Sequence, residues 1–152
     1  MEQKNYDSLK LANQLCFPLY ACARETIKLY TPYLDKLGLT YTQYLAMLVI
    51  WERKQVNLKT LGEQLYLDSG TLTPVLKRLE EKGYITRNRR ISDERNLTIC
   101  ITEAGEELKD TVLEIYQRME SWRPLSPEKS QQLVELLNEA ISNYEKKFLE
   151  MD

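Results

Sequence analysis

Apolar residues recur at helical spacing along most of this chain, and the interruptions mark where it turns. From about Asp7 to Leu34 the apolar and small positions Ala12, Cys16, Leu19, Ala23, Ile27, Tyr30 and Leu34 fall three or four apart, which predicts a long amphipathic first helix. Pro18 lies inside that stretch and is expected to kink the helix or delay its regular start, because proline removes the bond to residue 14. Pro32 puts the last turn in question. Thr40-Tyr41-Thr42-Gln43 reads as a capping box for a second helix, whose run from Tyr44 to Trp51 is apolar on nearly all sides and belongs in an interior. Asn57 is expected to cap a short third helix, Leu58 to Leu65, with Leu58, Leu61 and Leu65 on one face.

The stretch from Asp68 to Gly83 has a helix start in Asp68 and a stop in Gly83, with an apolar row at Leu72, Val75, Leu76 and Leu79 between them. Ser69 opens it, and Thr71, Thr73, Lys77 and Arg78 fall on the side away from the apolar row. Pro74 lacks an N–H and crowds a preceding carbonyl, which argues for a regular helix beginning only at Thr73. Two short helices joined by about three residues, the second polar and basic outside, make a helix-turn-helix. Residues 84–91 and 97–102 then read as a hairpin, since Leu97, Ile99 and Ile101 alternate with Thr98, Cys100 and Thr102. A basic hairpin after a helix-turn-helix is a wing.

Thr102 is expected to cap a fifth helix running to about Trp122, striped by Leu108, Val112, Ile115 and Met119. Pro124 stops the chain, and Ser126-Pro127 opens a last helix carrying Leu133, Leu136, Leu137, Ile141, Tyr144 and Phe148. That is more apolar surface than one small winged-helix core needs, so the first and last helices are expected to pack on a second copy. The fold expected is mainly α with a small β wing. One chain, 1–152, holds a winged helix-turn-helix over residues 40–101 and a helical dimerisation part over 7–39 and 102–152.

Composition adds exclusions. At 152 residues and 43% hydrophobic content the chain fills a core without staples, and its net charge of −2 argues against indiscriminate nucleic-acid binding. The local balance differs: Lys77 to Arg95 holds seven Lys or Arg against four Asp or Glu. Arg87, Arg89, Arg90 and Arg95, with Lys77 and Arg78, are candidate phosphate contacts, and the expected partner is double-stranded DNA with near-palindromic half-sites about one helical turn apart. The absence of histidine removes Ser-His and Cys-His triads and the commonest metal sites, so neither a metal nor a cofactor is expected. No basic-then-apolar leader and no run of about 18 apolar residues occurs, which leads to the expectation of a soluble, cytoplasmic protein without a membrane partner. Three cysteines, an odd number, fit a reducing compartment. By periodicity alone Cys16 is a quiet, buried, hydrophobic cysteine.

Four segments carry a resemblance: Leu15-Cys16-Phe17-Pro18-Leu19-Tyr20, residues Leu39 to Leu45, residues Leu67 to Pro74, and Asp93-Glu94-Arg95. Together they resemble the MarR family, and within it the organic-hydroperoxide-sensing OhrR branch and the related thiol-based regulators of staphylococci. The resemblance implies that Cys16 is a peroxide sensor whose sulfur is held by Tyr30 and Tyr41. It also implies that Asp93 orients Arg95 towards the minor groove. Two-cysteine members resolve the oxidised sulfur with a cysteine in the C-terminal helices, but residues 103–152 here hold none. Cys22, six residues on, lies about 9 Å along an intact helix, too far for a disulfide with Cys16.

The expected function is therefore a homodimeric repressor that releases its operator when an organic hydroperoxide oxidises Cys16. Its route has one cysteine: a sulfenic acid, then a mixed disulfide with a small cellular thiol or over-oxidation. The alternative is a regulator released by a small phenolic or aromatic ligand, with Cys16 structural. An enzyme, such as a thiol peroxidase, lacks a base beside the thiol.

Overall fold

The computed structural model describes residues 6–89 and 97–151, with Arg89 represented by its backbone. Proximity of Cα atoms divides the chain into two compact units, Met1–Tyr116 and Gln117–Asp152.

Among the described residues the first unit opens with two short 3-10 turns, Asp7–Leu9 and Leu11–Asn13, before helix α1, Cys16–Leu34. The expected single helix from Asp7 is thus corrected. Pro18 stands at the third helical position, where a missing N–H costs no intrahelical bond, so regular helix begins just ahead of it. Pro32 is accommodated within α1. A 3-10 turn, Asp35–Leu37, ends on Gly38, and α2 follows over Tyr41–Arg53. The Thr40 side chain accepts from the Gln43 N–H at 3.2 Å, while the Gln43 side chain accepts from the Thr40 N–H at 2.9 Å, so the capping box is complete.

Strand β1, Gln55–Asn57, runs directly into α3, Leu58–Leu65, which Asn57 caps through the Thr60 N–H. Helix α4 covers Ser69–Glu81. Strands β2, Ile85–Arg89, and β3, Leu97–Ile101, pair antiparallel, and β1 adds to the far side of β3, giving the order β1-β3-β2. Ile99 sits at the centre, opposite Val56 on one side and Arg87 on the other. Helix α5, Glu103–Ser121, continues from β3, with the Gly105 N–H bonded to the Thr102 hydroxyl as expected of a cap. In the second unit Ser126 caps α6, Pro127–Leu149, with proline at its start.

The core of the first unit gathers Leu34, Met47 and Ile50 with Leu61 of α3, Leu72, Leu76 and Leu79 of α4, and Ile85 and Ile99 of the sheet. Trp51 is tied to the root of α5 by its indole N–H, which donates to the Gly105 carbonyl at 2.7 Å. Leu108, Val112, Ile115 and Met119, the expected stripe of α5, are all buried. Elsewhere the apolar pattern is uncovered. Among the described residues of α1, Leu34 alone is buried, and α6 buries none. No helix among the described residues is long and apolar enough to cross a membrane.

Candidate functional site

Helix α4 begins at Ser69 rather than at Thr73, which corrects the expectation drawn from Pro74. Asp68 accounts for the early start: one carboxylate oxygen accepts the Thr71 N–H at 2.8 Å and the other accepts the Thr71 hydroxyl at 2.9 Å. Those bonds hold the Asp68 carboxyl below its ordinary range. Pro74 costs the helix the N–H that would have bonded the Gly70 carbonyl, and the helix continues through it. Thr73 donates its hydroxyl to the Ser69 carbonyl at 2.7 Å. Ser69, Thr71, Thr73, Lys77 and Arg78 are all exposed on one side of the helix, opposite buried Leu72, Leu76 and Leu79. Gly83 closes the helix at φ 78°, the left-handed conformation expected of it.

Behind this surface, α4 is joined to the wing strand. The Glu80 carboxylate accepts the Arg87 backbone N–H at 2.8 Å and its Nε–H at 2.8 Å, and lies 2.7 Å from Nη2. The arginine's hydrogen bonds hold the Glu80 carboxyl below the usual glutamate range. Charge alone marked Arg87 as a DNA contact, and nothing in the sequence pattern marked Glu80 as its partner. Arg90, Asp93 and Arg95 lie outside the described residues.

The cysteines are unbridged, and Cys16 and Cys22 are exposed while Cys100 is half-buried. Exposure of Cys16 in this chain corrects the buried position inferred from periodicity, since the apolar stripe of α1 lies largely uncovered. Tyr30 and Tyr41, by contrast, are brought together. Their rings meet edge to face at 5.5 Å, and Tyr44 joins them at 5.5 Å and 5.7 Å. Burial raises all three phenols above the ordinary tyrosine range, so each keeps its proton at neutral pH and offers a hydrogen-bond donor. The sequence marks Tyr44 only as the start of the interior run of α2, although it stands three residues after Tyr41 and hence on the same helix face. Cys16 is fourteen residues from Tyr30 on one continuous helix, about 21 Å along its axis, so this phenol cluster does not reach the sulfur of its own chain.

Tyr44, Leu48, Trp51, Glu52, Lys109, Val112, Leu113 and Tyr116 belong to the lining of a cavity of about 350 Å³ between α2 and α5.

The family described as transcriptional regulator SarA/Rot matches residues 28–112. The chain is 56% identical over 115 residues to the organic hydroperoxide resistance transcriptional regulator of Bacillus subtilis (strain 168), covering 76% of this chain and 78% of that one. It is 44% identical over 137 residues to the HTH-type transcriptional regulator SarZ of Staphylococcus epidermidis, covering 90% and 93%. Among solved structures, the overoxidised AbfR bound to DNA superposes with a TM-score of 0.76 at 36% identity, over 91% of this chain and 97% of that one. The helix-turn-helix, the three-stranded wing sheet and these likenesses converge: the chain belongs to the SarA/Rot family of MarR-like winged-helix proteins, and it is a DNA-binding transcriptional regulator rather than an enzyme.

Proposed function

We propose that this regulator is a cytoplasmic homodimer that holds a near-palindromic operator while reduced and releases it when an organic hydroperoxide oxidises Cys16. The observation that carries the reading is the separation of the sensor's parts: an exposed thiol at the start of α1 and a half-buried cluster of protonated phenols about 21 Å further on. Two copies packed through α1 bring the thiol of each to the phenols of the other, where Tyr30 and Tyr41 donate to the thiolate and stabilise it. The uncovered apolar residues of α1, among them Phe17, Tyr20 and Ile27, supply the surface for that packing. The Bacillus relative's role in organic hydroperoxide resistance supports the choice of oxidant.

The chemistry needs one sulfur. The thiolate attacks the peroxide, an S–O bond forms as the O–O bond breaks, and the leaving alkoxide takes a proton from water, so that the products are a sulfenic acid, an alcohol and hydroxide. A small cellular thiol then displaces the sulfenic oxygen as water, leaving a mixed disulfide. The similar AbfR structure carries DNA in its overoxidised state, which favours the mixed disulfide as the releasing form here. On DNA, Ser69, Thr71, Thr73, Lys77 and Arg78 meet the major groove, Arg90 of the wing meets phosphate, and Arg95, oriented by Asp93, reaches the adjacent minor groove. The hydroxyl hydrogens of Thr71 and Thr73 are already committed to Asp68 and Ser69, so both present lone pairs, suited to the amino groups of adenine or cytosine.

Cys16→Ser tests the reading on a duplex spanning the promoter of its own gene. Gel-shift affinity should match the wild type, while release by one equivalent of organic hydroperoxide with a small thiol is lost. In the wild type, intact-mass spectrometry should show one thiol adduct on Cys16. An unmodified Cys16, or release that survives the substitution, would turn attention to a phenolic or aromatic ligand in the cavity between α2 and α5.

A further inference from the structure

We propose that Glu80 and Arg87 are a positioning pair that fixes the wing to the groove-reading helix, and that Arg87 serves the operator through this clasp rather than by touching a phosphate. The proposal rests on the DNA-binding reading above. Arg87 stands at the middle of β2, opposite Ile99 of β3. Its backbone N–H is spent on Glu80 rather than on that neighbour. Because the sheet order is β1-β3-β2, β2 is an edge strand, and the Glu80 carboxylate closes that edge where another strand would pair. One carboxylate thus grips both the main chain and the guanidinium of the same residue.

The guanidinium is correspondingly withdrawn. The Arg87 side chain is 21% exposed, against 66% for Lys77 on the groove side of α4. Its Nε and Nη2 edge, the edge that would fork onto a phosphate, already faces Glu80. Besides this clasp, α4 and β2 are joined by the short turn through Lys82, Gly83 and Tyr84, where Gly83 sits at φ 78°, and by Ile85, buried in the core that Leu76 and Leu79 share. The turn and buried Ile85 anchor the start of the strand, and the bonds from the Arg87 N–H and guanidinium to the one Glu80 carboxylate extend that hold two residues further, fixing the angle of β2 to α4 before DNA arrives. Fixing that angle in the free protein removes an ordering cost from binding.

Two measurements on full-length protein test this. In the first, amide hydrogen exchange is followed in the free protein, where Glu80→Ala should speed exchange across residues 85–89. Unchanged exchange there overturns the proposal whatever DNA does. In the second, affinity for the promoter duplex is measured against potassium chloride concentration for E80A, R87A, E80A/R87A and E80Q. Each alanine variant should weaken binding about tenfold at fixed salt, as loss of a charged hydrogen bond does. The double variant should be no weaker than either single one, and the slope of log affinity against log salt should stay at the wild-type value. E80Q, which keeps an acceptor for the Arg87 N–H and guards against loss of the fold, should weaken binding less than E80A with the same slope.

The contrary result is distinct. If Arg87 binds phosphate, R87A flattens the slope by about 0.9 per contact. In that case E80A and E80Q tighten binding by removing a negative charge beside DNA. Either pattern, or affinities unchanged in every variant, overturns the proposal. Failure of the DNA-binding reading itself would appear in the wild-type titration alone.

Discussion

Asp68 settles the start of α4 with its two carboxylate oxygens, one on the Thr71 N–H and one on the Thr71 hydroxyl. Replacing it with alanine leaves the first-turn amides to solvent and frees the threonine hydroxyl to rotate. Asp68→Ala should lower the thermal midpoint by roughly 3 °C, measured by circular dichroism. The pH dependence has a definite sign. The carboxyl's folded value is depressed, so the cap's contribution is complete above the ordinary aspartate range and fades as pH falls through the lower, folded value. The gap in midpoint between wild type and variant should therefore close in acid and stay open at neutral pH. The tyrosines run the other way. Raised by burial, they stabilise the fold below the ordinary phenol range and lose that effect as alkali ionises them.

At the scale of elements, legibility followed the range of the interaction. The capping box at Thr40 and the caps at Asn57 and Ser126 are local devices, written within four residues, and each opens the helix expected of it. Pro74 misled because its local clash was weighed without the hold that the Asp68 cap has on the first turn. Strand β1 was missed because three residues leave no periodicity to read, and only pairing with β3 defines it. The phenol cluster divides on the same principle. Tyr30 and Tyr41 came from resemblance, Tyr44 from the fold, and the grip of Glu80 on Arg87 from a contact between two elements. The junction of β3 with α5 is another such contact: a side chain at Gly105 would put its Cβ 2.2 Å from the Tyr84 carbonyl oxygen. Gly105→Ala should then force the hairpin and α5 apart, costing about 2 kcal/mol, visible as a lower urea midpoint. A midpoint equal to the wild type would show that the junction yields freely.

For the molecule as a whole, the uncovered residues carry the message. Phe17, Tyr20 and Ile27 of α1, in the first unit, and Leu136, Tyr144 and Phe148 of α6, in the second, are exposed in the single chain. Apolar surface on that scale marks association. The unbroken helix that sets Tyr30 fourteen positions after Cys16 gives the association a genetic signature. A subunit with Cys16→Ser and a subunit with Tyr30→Phe and Tyr41→Phe are each expected to be insensitive to peroxide as homodimers. Mixed in one cell, they form heterodimers in which the remaining cysteine of one faces the remaining tyrosines of the other, and response returns. Two defective alleles would complement each other, whereas a sensor contained within one chain would leave the strain unresponsive.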